Sequence, residues 1–338
     1  MVYSINWLLA PSHPALRYLA LTDLLDLPKD HLQVVTTHAI VLDDPWIEAL
    51  FTGQQPDGKF ARSDGSDIHP YTKWMGIHWR LVSLLELGIS PGEPRALAAV
   101  EDELAWLTGH EHRSRIPTID GRTRRCASQE GNALAACCRL GIAQDPRVEL
   151  LAESLVTWQW PDGGWNCDKR PEASHSSFHE SLIPMWGLFE YYRATGNPDA
   201  LDAAHRTAEF FLRPHLFRSE RTGEIIHPEM LELHYPPYWH YDILQALLIL
   251  SRMNMLGDER TSESLDQLQA RIHPDGTWRA GRHYWRPSGG ELYQEPVDWG
   301  RRGPNAMITL NALRVLKAAG RIKISITGDE YGFITHPN

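Results

Sequence analysis

The sequence predicts an all-α protein in which buried and surface helices alternate. Apolar residues recur at helical spacing along most of the 338-residue chain. One kind of helix is apolar nearly all round and ends in Leu-Gly or Ala-Gly; the other is amphipathic and opens on an acidic residue or proline. Helices of the first kind begin near residues 13, 70, 126, 176, 238 and 303. Because a surface helix follows each buried one and no polar terminal cap is visible, the pattern favours a closed double ring over an open solenoid.

Each helix is predicted from its apolar spacing and from the residues at its ends. Ser12 is a candidate cap for the first helix, and the Asp44-Pro45 and Asp145-Pro146 pairs are typical of helix starts. Gly88, Gly141, Gly196 and Gly320 are typical of helix ends. The predicted helices cover residues 13–25, 44–53, 69–88, 94–108, 126–141, 145–159, 176–196, 198–212, 238–254, 258–272 and 303–320.

The end of the chain differs from the helical part. Residues 322–327 alternate apolar and polar side chains, which predicts a short strand. We expect this strand to pair with residues 224–226 or to lie over the ring. The whole chain, residues 1–338, is interpreted as one domain with a β-like tail at residues 321–338.

Bulk composition excludes several classes of protein. Hydrophobic residues make up 42% of the chain, and the net charge of −10 argues against nucleic-acid binding. No apolar run approaches the roughly 18 residues of a membrane span, and the N-terminus lacks a charged signal region. The four cysteines do not form a disulfide framework. We therefore expect a cytoplasmic protein, for which peripheral contact with a membrane and a second subunit are both compatible with the sequence.

A turn motif occurs three times. Its strongest copy, Gln-Trp-Pro-Asp-Gly-Gly-Trp, lies within residues 158–165, and weaker copies lie at residues 54–60 and 272–278. The motif resembles the QW-type repeat of the terpenoid cyclase and protein prenyltransferase superfamily. That resemblance implies an (α/α)6 toroid of inner and outer helices, in which Gln and Trp tie adjacent outer helices together. It also implies an enzyme with an apolar central cavity for an isoprenoid or similar lipid-like substrate.

The sequence departs from the superfamily at its reactive motifs. The Asp-x-Asp-Asp string that squalene-type cyclases use for protonation is absent, and Asp43-Asp44 is more simply a charge at a helix start. Protein prenyltransferases hold zinc with an Asp-x-Cys pair and a His, which are not reproduced in this chain. Protein prenyltransferases also require a second subunit, so the resemblance is compatible with a second subunit for this chain.

By the superfamily's geometry, the starts of the inner helices surround the mouth of the cavity. Polar and aromatic residues gather at these starts, where buried polar groups need partners. The candidate catalytic residues are His179, His240, Asp242 and Glu130. The candidate substrate-binding residues are Lys73, Trp74, Arg125, Gln129, Asn132, Trp239, Tyr241, Arg282 and Asn305.

A metal site is predicted next to these residues. His175 and His179 share one helix face, and Cys, His and Asp are common zinc ligands. The candidate ligands of a single zinc or iron ion are Cys167, His175, His179, His240 and Asp242. The same histidines could instead be general acid–base groups or structural residues. Cys126, at the start of its inner helix, could join this site or be a small core residue, and the core interpretation is preferred.

Two basic loops precede inner-helix starts. Residues 113–125 and 279–302 hold five arginines each, which would suit a diphosphate or carboxylate substrate or would pair with nearby acidic residues. The second loop also contains Tyr284, Trp285, Tyr293 and Trp299 and is predicted to be a lid. The aromatic segment 223–242 is predicted to form another part of the rim.

Three functions follow from the sequence. The first is an enzyme acting on an isoprenoid or lipid-like, anionic substrate. The second is a metal-dependent enzyme or lyase on the same ring with another substrate. The third is a non-catalytic toroid that binds a partner protein or a small hydrophobic molecule.

Overall fold

A computed structural model describes residues 2–10, 12–286, 294–327 and 330–335. Tyr293 and the rest of residues 287–293 of the predicted lid lie outside the described residues. The described chain is predominantly helical, as the sequence predicts. None of its helices is both long enough and apolar enough to cross a membrane.

The first third of the chain begins with a strand and continues with helices. The elements are β1 (Val2–Ser4), a 3-10 turn (Asn6–Leu9), α1 (Pro14–Leu19) with a π-helical turn (Ala20–Leu24), α2 (Leu32–His38), α3 (Pro45–Phe51), α4 (Ile77–Glu86), α5 (Pro94–Thr108) and α6 (His110–Arg113). The helix α2 was not predicted from the sequence; it is short and buries only Val34 and Thr37.

The remaining elements continue the alternation. They are the short hairpin β2 (Thr118–Ile119) and β3 (Arg122–Thr123), α7 (Ser128–Arg139), α8 (Pro146–Trp158), α9 (Phe178–Thr195), α10 (Pro198–Leu212), α11 (Ile243–Arg252), α12 (Ser262–Ala270), α13 (Ala306–Ala318), β4 (Ile322–Thr327) and β5 (Glu330–Thr335).

Burial separates two kinds of helix. Every residue of α4 is buried, as are residues 128–137 of α7, whereas α5 and α10 bury one side only. The buried helices contact one another in chain order from α4 through α7, α9 and α11 to α13, and α13 packs on the π-helical turn after α1. The one-sided helices α5, α8, α10 and α12 each pack on the buried helix that precedes them.

Two glycines allow α7 and α9 to approach closely. A Cβ atom on Gly131 would lie 2.6 Å from the Pro184 nitrogen, and one on Gly187 would lie 2.5 Å from the Gly131 carbonyl oxygen. Any side chain at these positions would force the helices apart. The N-terminal ends of α7 and α9 are therefore held side by side.

The turn at residues 158–165 ties neighbouring helices together. The Gln159 side-chain amide donates hydrogen bonds to the carbonyl of Ala203 (2.9 Å) and the hydroxyl of Thr207 (2.9 Å) on α10. The Trp165 indole N–H donates to the Leu155 carbonyl on α8 at 3.0 Å. Gln159 and Trp165 thus fix how the chain passes from α8 towards α9.

The expected partner of the C-terminal strand and the expected starts of two helices were wrong. The strand at residues 322–327 forms, but β4 pairs with β5, and β5 pairs with β1. Among the described residues the strand has no pairing with residues 224–226, where Ile225 bridges to Arg218 instead. The helices expected from residues 69 and 238 begin only at Ile77 and Ile243, since Asp242 caps α11 through the Gln245 N–H. Lys73, Trp74 and Trp239 therefore lie on irregular segments before the helices.

Candidate metal centre

Three side chains from different segments converge beside the starts of α7 and α9. The Cys126 and Cys167 sulfurs and a Glu180 carboxylate oxygen all lie within 4.8 Å of one another. Glu180 is buried and the two cysteines are half-buried. In the part of the chain that the structure describes, no other group of three or more His, Cys, Asp or Glu side chains converges this closely.

Backbone contacts bring the two cysteines together. Arg124 and Asn166 form a parallel bridge, and the Arg125 N–H donates to the Asn166 carbonyl at 3.0 Å. The residues that follow Arg124 and those that follow Asn166 are therefore neighbours. Cys126 and Cys167 lie there although they are 41 positions apart in the sequence.

The turn before Cys167 also fixes the start of α9. Asp162 accepts hydrogen bonds from the Ser176 N–H (2.7 Å) and hydroxyl (2.5 Å). The Ser177 N–H donates to the Trp165 carbonyl at 2.8 Å, and the Ser181 hydroxyl accepts from the Trp165 N–H at 2.9 Å. Glu180, in the first turn of α9, is thereby held close to Cys167.

Glu180 is oriented by the beginning of α7. One carboxylate oxygen accepts hydrogen bonds from the Ser128 hydroxyl (2.9 Å) and N–H (3.2 Å). The other oxygen lies 3.8 Å from the Cys167 sulfur. Burial raises the pKa of Glu180, and the Ser128 hydrogen bonds partly oppose that effect. One oxygen is thus fixed by the protein while the other faces the thiols.

The two thiols differ in their readiness to ionise. A hydrogen bond between them lowers the pKa of Cys167 and raises that of Cys126, and burial raises the pKa of Cys126 further. Cys167 is accordingly the better thiolate. Thiolate rather than thiol is the form that binds metals and acts as a nucleophile.

A cavity of about 790 Å³ opens onto both cysteines. Trp106 and His112 form part of its wall, and Arg125 and Gln129 lie beside Cys126. The cavity gives a small molecule access to the sulfurs from outside the helices.

Arg125 is engaged by its neighbours. Its guanidinium donates to Glu130 (2.8 and 3.0 Å), to Gln129, and contacts His112 at 2.6 Å. Burial opposes ionisation of Glu130, but Arg125 and His112 lower its pKa overall. Glu130 is therefore held as a buried, ion-paired carboxylate, and Gln129 and Arg125 are parts of the same network.

The predicted histidines form a second, separate cluster. The His179 Nδ1 accepts a hydrogen bond from the Tyr241 N–H at 2.9 Å, and its ring lies 6.3 Å from that of His240. His240 is stacked between Trp239 (4.1 Å) and Tyr284 (3.3 Å). Burial and neighbouring positive groups lower the pKa of His240 to about 2 and lower that of His179. A pKa this low keeps the His240 imidazole neutral near pH 7, so its ring is not tuned to donate a proton.

Asp242 is buried within a structural arrangement. Its carboxylate accepts from the Gln245 N–H (2.9 Å) at the start of α11 and from the His234 N–H (3.0 Å). It also lies 2.6 Å from the His234 ring nitrogen. These contacts fix the segment that carries His240.

The five predicted metal ligands do not converge as one set. Cys167 belongs to the thiol cluster, His179, His240 and Asp242 lie in the arrangements just described, and His175 is exposed. The structure instead joins Cys167 with Cys126 and Glu180. The interpretation of Cys126 as a core residue was thus wrong about its position. The position of Cys126 just before an inner helix, and that of Glu180 in the first turn of the next one, were the available signals.

Most of the aromatic residues predicted to bind substrate pack against other side chains of the protein. Trp74 stacks on Tyr238 at 3.7 Å, and its indole N–H donates to the Tyr284 carbonyl at 2.8 Å. The Tyr241 hydroxyl donates to the Leu216 carbonyl at 2.6 Å. Lys73 places its ammonium 3.8 Å from the centre of the Trp239 ring. Lys73 also lies within electrostatic range of Cys126 and Glu180, so it links the two clusters.

The remaining predicted contacts have structural partners. Asn305 caps α13 through the Ile308 N–H at 3.0 Å. The Asn132 side-chain amide lies 3.3 Å from the His78 ring nitrogen, and Arg282 forms an ion pair with Glu229. In the basic loops, Arg115 and Arg279 likewise pair with nearby acidic residues. For these arginines, pairing within the protein describes the structure better than a free anion site.

Comparison with known proteins does not assign the chain to a family. No protein-family model matches it, and no curated protein sequence matches it either.

Proposed function

We propose that this protein is a metal-dependent enzyme whose reaction centre is a single zinc ion held by Cys126, Cys167 and Glu180. The observation that carries the proposal is the convergence of two sulfurs and a buried carboxylate oxygen within 4.8 Å, with both cysteines lining a cavity. This is the metal-dependent alternative from the sequence, with a different ligand set.

The donor set suits zinc. Thiolate sulfur is a soft ligand that selects zinc or iron, and carboxylate oxygen also binds zinc. Two thiolates and one carboxylate carry three negative charges in a half-buried place, which is unfavourable without a compensating cation. A divalent ion offsets most of that charge. Iron is the other metal expected from the sequence, and elemental analysis of the purified protein distinguishes it from zinc.

The number of protein ligands favours catalysis over a purely structural role. Structural zinc sites are usually closed by four protein ligands, whereas catalytic sites have three and keep one position open. A bound zinc ion would polarise a substrate group or lower the pKa of a bound water molecule. In this chain, Ser128 fixes the Glu180 carboxylate, and the cavity beside Trp106 and Gln129 admits the substrate.

We further propose that the helices form the (α/α)6 toroid implied by the resemblance to terpenoid cyclases and protein prenyltransferases. The proposal is supported by the contacts of successive buried helices and by the packing of α13 on the turn after α1. In that arrangement the metal centre lies at the end of the ring where the inner helices begin.

An isoprenoid substrate is the second candidate. Trp106 lies in the same cavity as Arg124 and Lys169, which is a combination of aromatic and cationic groups suited to an anionic lipid-like molecule. The metal-dependent activity is preferred, because Arg125 is committed to Glu130 and the Arg124 guanidinium donates to the Ala173 carbonyl at 2.8 Å.

Elemental analysis of the purified protein tests the proposal. We expect one zinc ion per chain, and loss of most of it in Cys167→Ser and in Glu180→Gln. Cobalt substitution should give a thiolate-to-cobalt charge-transfer band that Cys167→Ser weakens. Cys138→Ser is the matched control, since Cys138 is also half-buried but lies outside the cluster. Full zinc content in the Cys126→Ser, Cys167→Ser double variant would refute the assignment.

A further inference from the structure

A second, larger cavity lies at the other end of the inner helices. Its volume is about 1240 Å³, and its lining includes the last turns of α4, α11 and α13 together with α2. Arg139, at the end of α7, also faces it. Since α7 begins beside the metal centre and ends at Arg139, the two cavities are separated by roughly 18 Å, the length of this 12-residue helix.

The lining of this cavity is rich in cations. It contains five cationic and three carboxylate side chains: Lys29, Arg139, Arg252, Arg314 and Lys317 against Asp23, Asp26 and Glu86. Cations near helix C-termini are favourable because they face the carbonyl ends. That effect explains part of the excess, and the three carboxylates pair with Arg252, Arg314 and Lys317.

Two arginines share one carboxylate. Glu86 is buried and accepts a hydrogen bond from Arg252 at 2.8 Å, while its distance to Arg139 is 3.9 Å. The Arg139 side chain keeps 32% of its surface exposed. Burial and the neighbouring Arg252 lower the pKa of Arg139, because two guanidinium charges lie beside one carboxylate. An anion beside Arg139 and Arg252 would relieve that repulsion.

A third arginine has unused capacity. The Arg314 terminal nitrogens bond Asn311 at 2.8 Å and Asp23 at 2.5 Å, but its buried Nε has no hydrogen-bond partner. A buried donor without a partner is costly, and a ligand oxygen or a water molecule normally satisfies it.

The rest of the cavity is apolar and continues to the surface. Leu19, Val34, Leu85 and Leu248 line it, and Val35 on α2 lines its edge. Val35 is 50% exposed and Leu32, one turn earlier on α2, is 74% exposed. Apolar residues of α2 thus line the cavity from its buried side at Val34 to solvent at Val35.

We propose that this cavity binds an anionic amphiphile. Its charged head lies beside Arg139 and Arg252, and its aliphatic chain lies along Val34 and Val35 of α2. The recognised chemistry is a negatively charged head group on an unbranched apolar chain, and it is independent of the metal centre.

Calorimetric titration of the full-length protein with laurate tests this inference. We expect laurate to bind, dodecyltrimethylammonium to bind at least tenfold more weakly, and acetate, which has the head group alone, to show no measurable binding. Dodecyl phosphate in a parallel titration distinguishes a phosphate head from a carboxylate head, and tight binding of either supports the site. Equal binding of laurate and dodecyltrimethylammonium would show that the chain alone is recognised and would overturn the proposal.

Variants locate the binding. Arg139→Gln should weaken laurate binding about tenfold or more, because it removes a charge-assisted hydrogen bond and leaves the Glu86–Arg252 pair intact. Arg139→Lys should recover part of the affinity, and Val35→Ser should lower it severalfold. Arg193→Gln, which changes an exposed arginine outside the cavity, should have no effect. Wild-type affinity in a folded Arg139→Gln protein refutes the site. Cys167→Ser should bind laurate normally, so failure here is separable from failure of the metal centre.

Discussion

The turns at Trp165 and Trp278 have the same hydrogen-bonded frame. Each indole N–H donates to a carbonyl ten residues earlier, Leu155 at 3.0 Å and Leu268 at 2.9 Å. Each backbone N–H donates to a hydroxyl in the first turn of the next inner helix, Ser181 at 2.9 Å and Thr309 at 3.0 Å. Each carbonyl accepts from the residue before that helix.

The two turns differ where the candidate ligands lie. Two residues after the tryptophan, the first turn has Cys167 and the second has Ala280. One residue before the hydroxyl, the first has Glu180 and the second has Ile308. The shared residues are therefore structural, whereas Cys167 and Glu180 are specific to the first turn. The comparison separates what builds the fold from what could perform chemistry.

The largest expected effect concerns the shared frame. Trp165→Ala and Trp278→Ala should each lower the free energy of unfolding by about 3–5 kcal/mol, because both remove a fully buried indole and leave a cavity. Urea unfolding followed by circular dichroism measures both. A large loss of stability in one variant and none in the other would show that the two turns are not equivalent. Trp7→Ala, which changes a partly exposed tryptophan, is the control.

The second prediction concerns Glu295, a buried carboxylate that follows the Trp278 turn in the sequence. Burial raises the pKa of Glu295 to about 7, and Tyr238 donates a hydrogen bond to it. The folded protein therefore keeps this proton when the unfolded chain, with an ordinary Glu pKa of about 4.3, has lost it. Between about pH 4.3 and 7 the folded state binds more protons, so the free energy of unfolding should fall as pH rises, by up to about 4 kcal/mol.

Glu295→Gln should remove this slope. The measurement is urea unfolding at several values of pH from 5 to 8, with Glu172→Gln as a control at an exposed carboxylate. An unchanged slope in Glu295→Gln would show that Glu295 ionises normally.

The smallest expected effect concerns Ser128. Its hydroxyl and N–H hold one oxygen of Glu180. Ser128→Ala should lower zinc affinity about tenfold while leaving the fold intact, because groups that orient a metal ligand contribute to affinity in this range. A competition titration with a zinc chelator measures it. Thr309→Ala, at the turn without ligands, should leave zinc affinity unchanged; equal losses in both variants would indicate a general loss of structure.

Sequence patterns located most helices but not all of their ends. Long apolar helices such as α9 and α13 were predicted because their spacing and their terminal glycines agree. The starts of α4 and α11 were placed too early, since polar and aromatic residues before a helix resemble its first turn in composition. Only the Asp242 cap shows where α11 begins.

The sequence indicated the stretch of chain in which to look for the candidate site, but it did not predict which three residues come together there. The sequence indicated that chemistry should be sought between Cys167 and Glu180, just after the Trp165 turn. It paired Cys167 with His175 on the basis of proximity along the chain and helical spacing. Cys126 and Glu180 join Cys167 through contacts between distant segments, the Arg124–Asn166 bridge and the close approach at Gly131.

By itself, the sequence determined that this protein is helical, that its helices alternate in burial and that its turns repeat. These properties depend on spacing and caps within about 20 residues, where side-chain period and backbone preference act locally. The tertiary structure decided which polar groups meet, because their distances depend on how separate helices pack. Cys126, Cys167 and Glu180 are neighbours in space because α7 and α9 lie against each other and because the segments before these helices are bridged at Arg124 and Asn166.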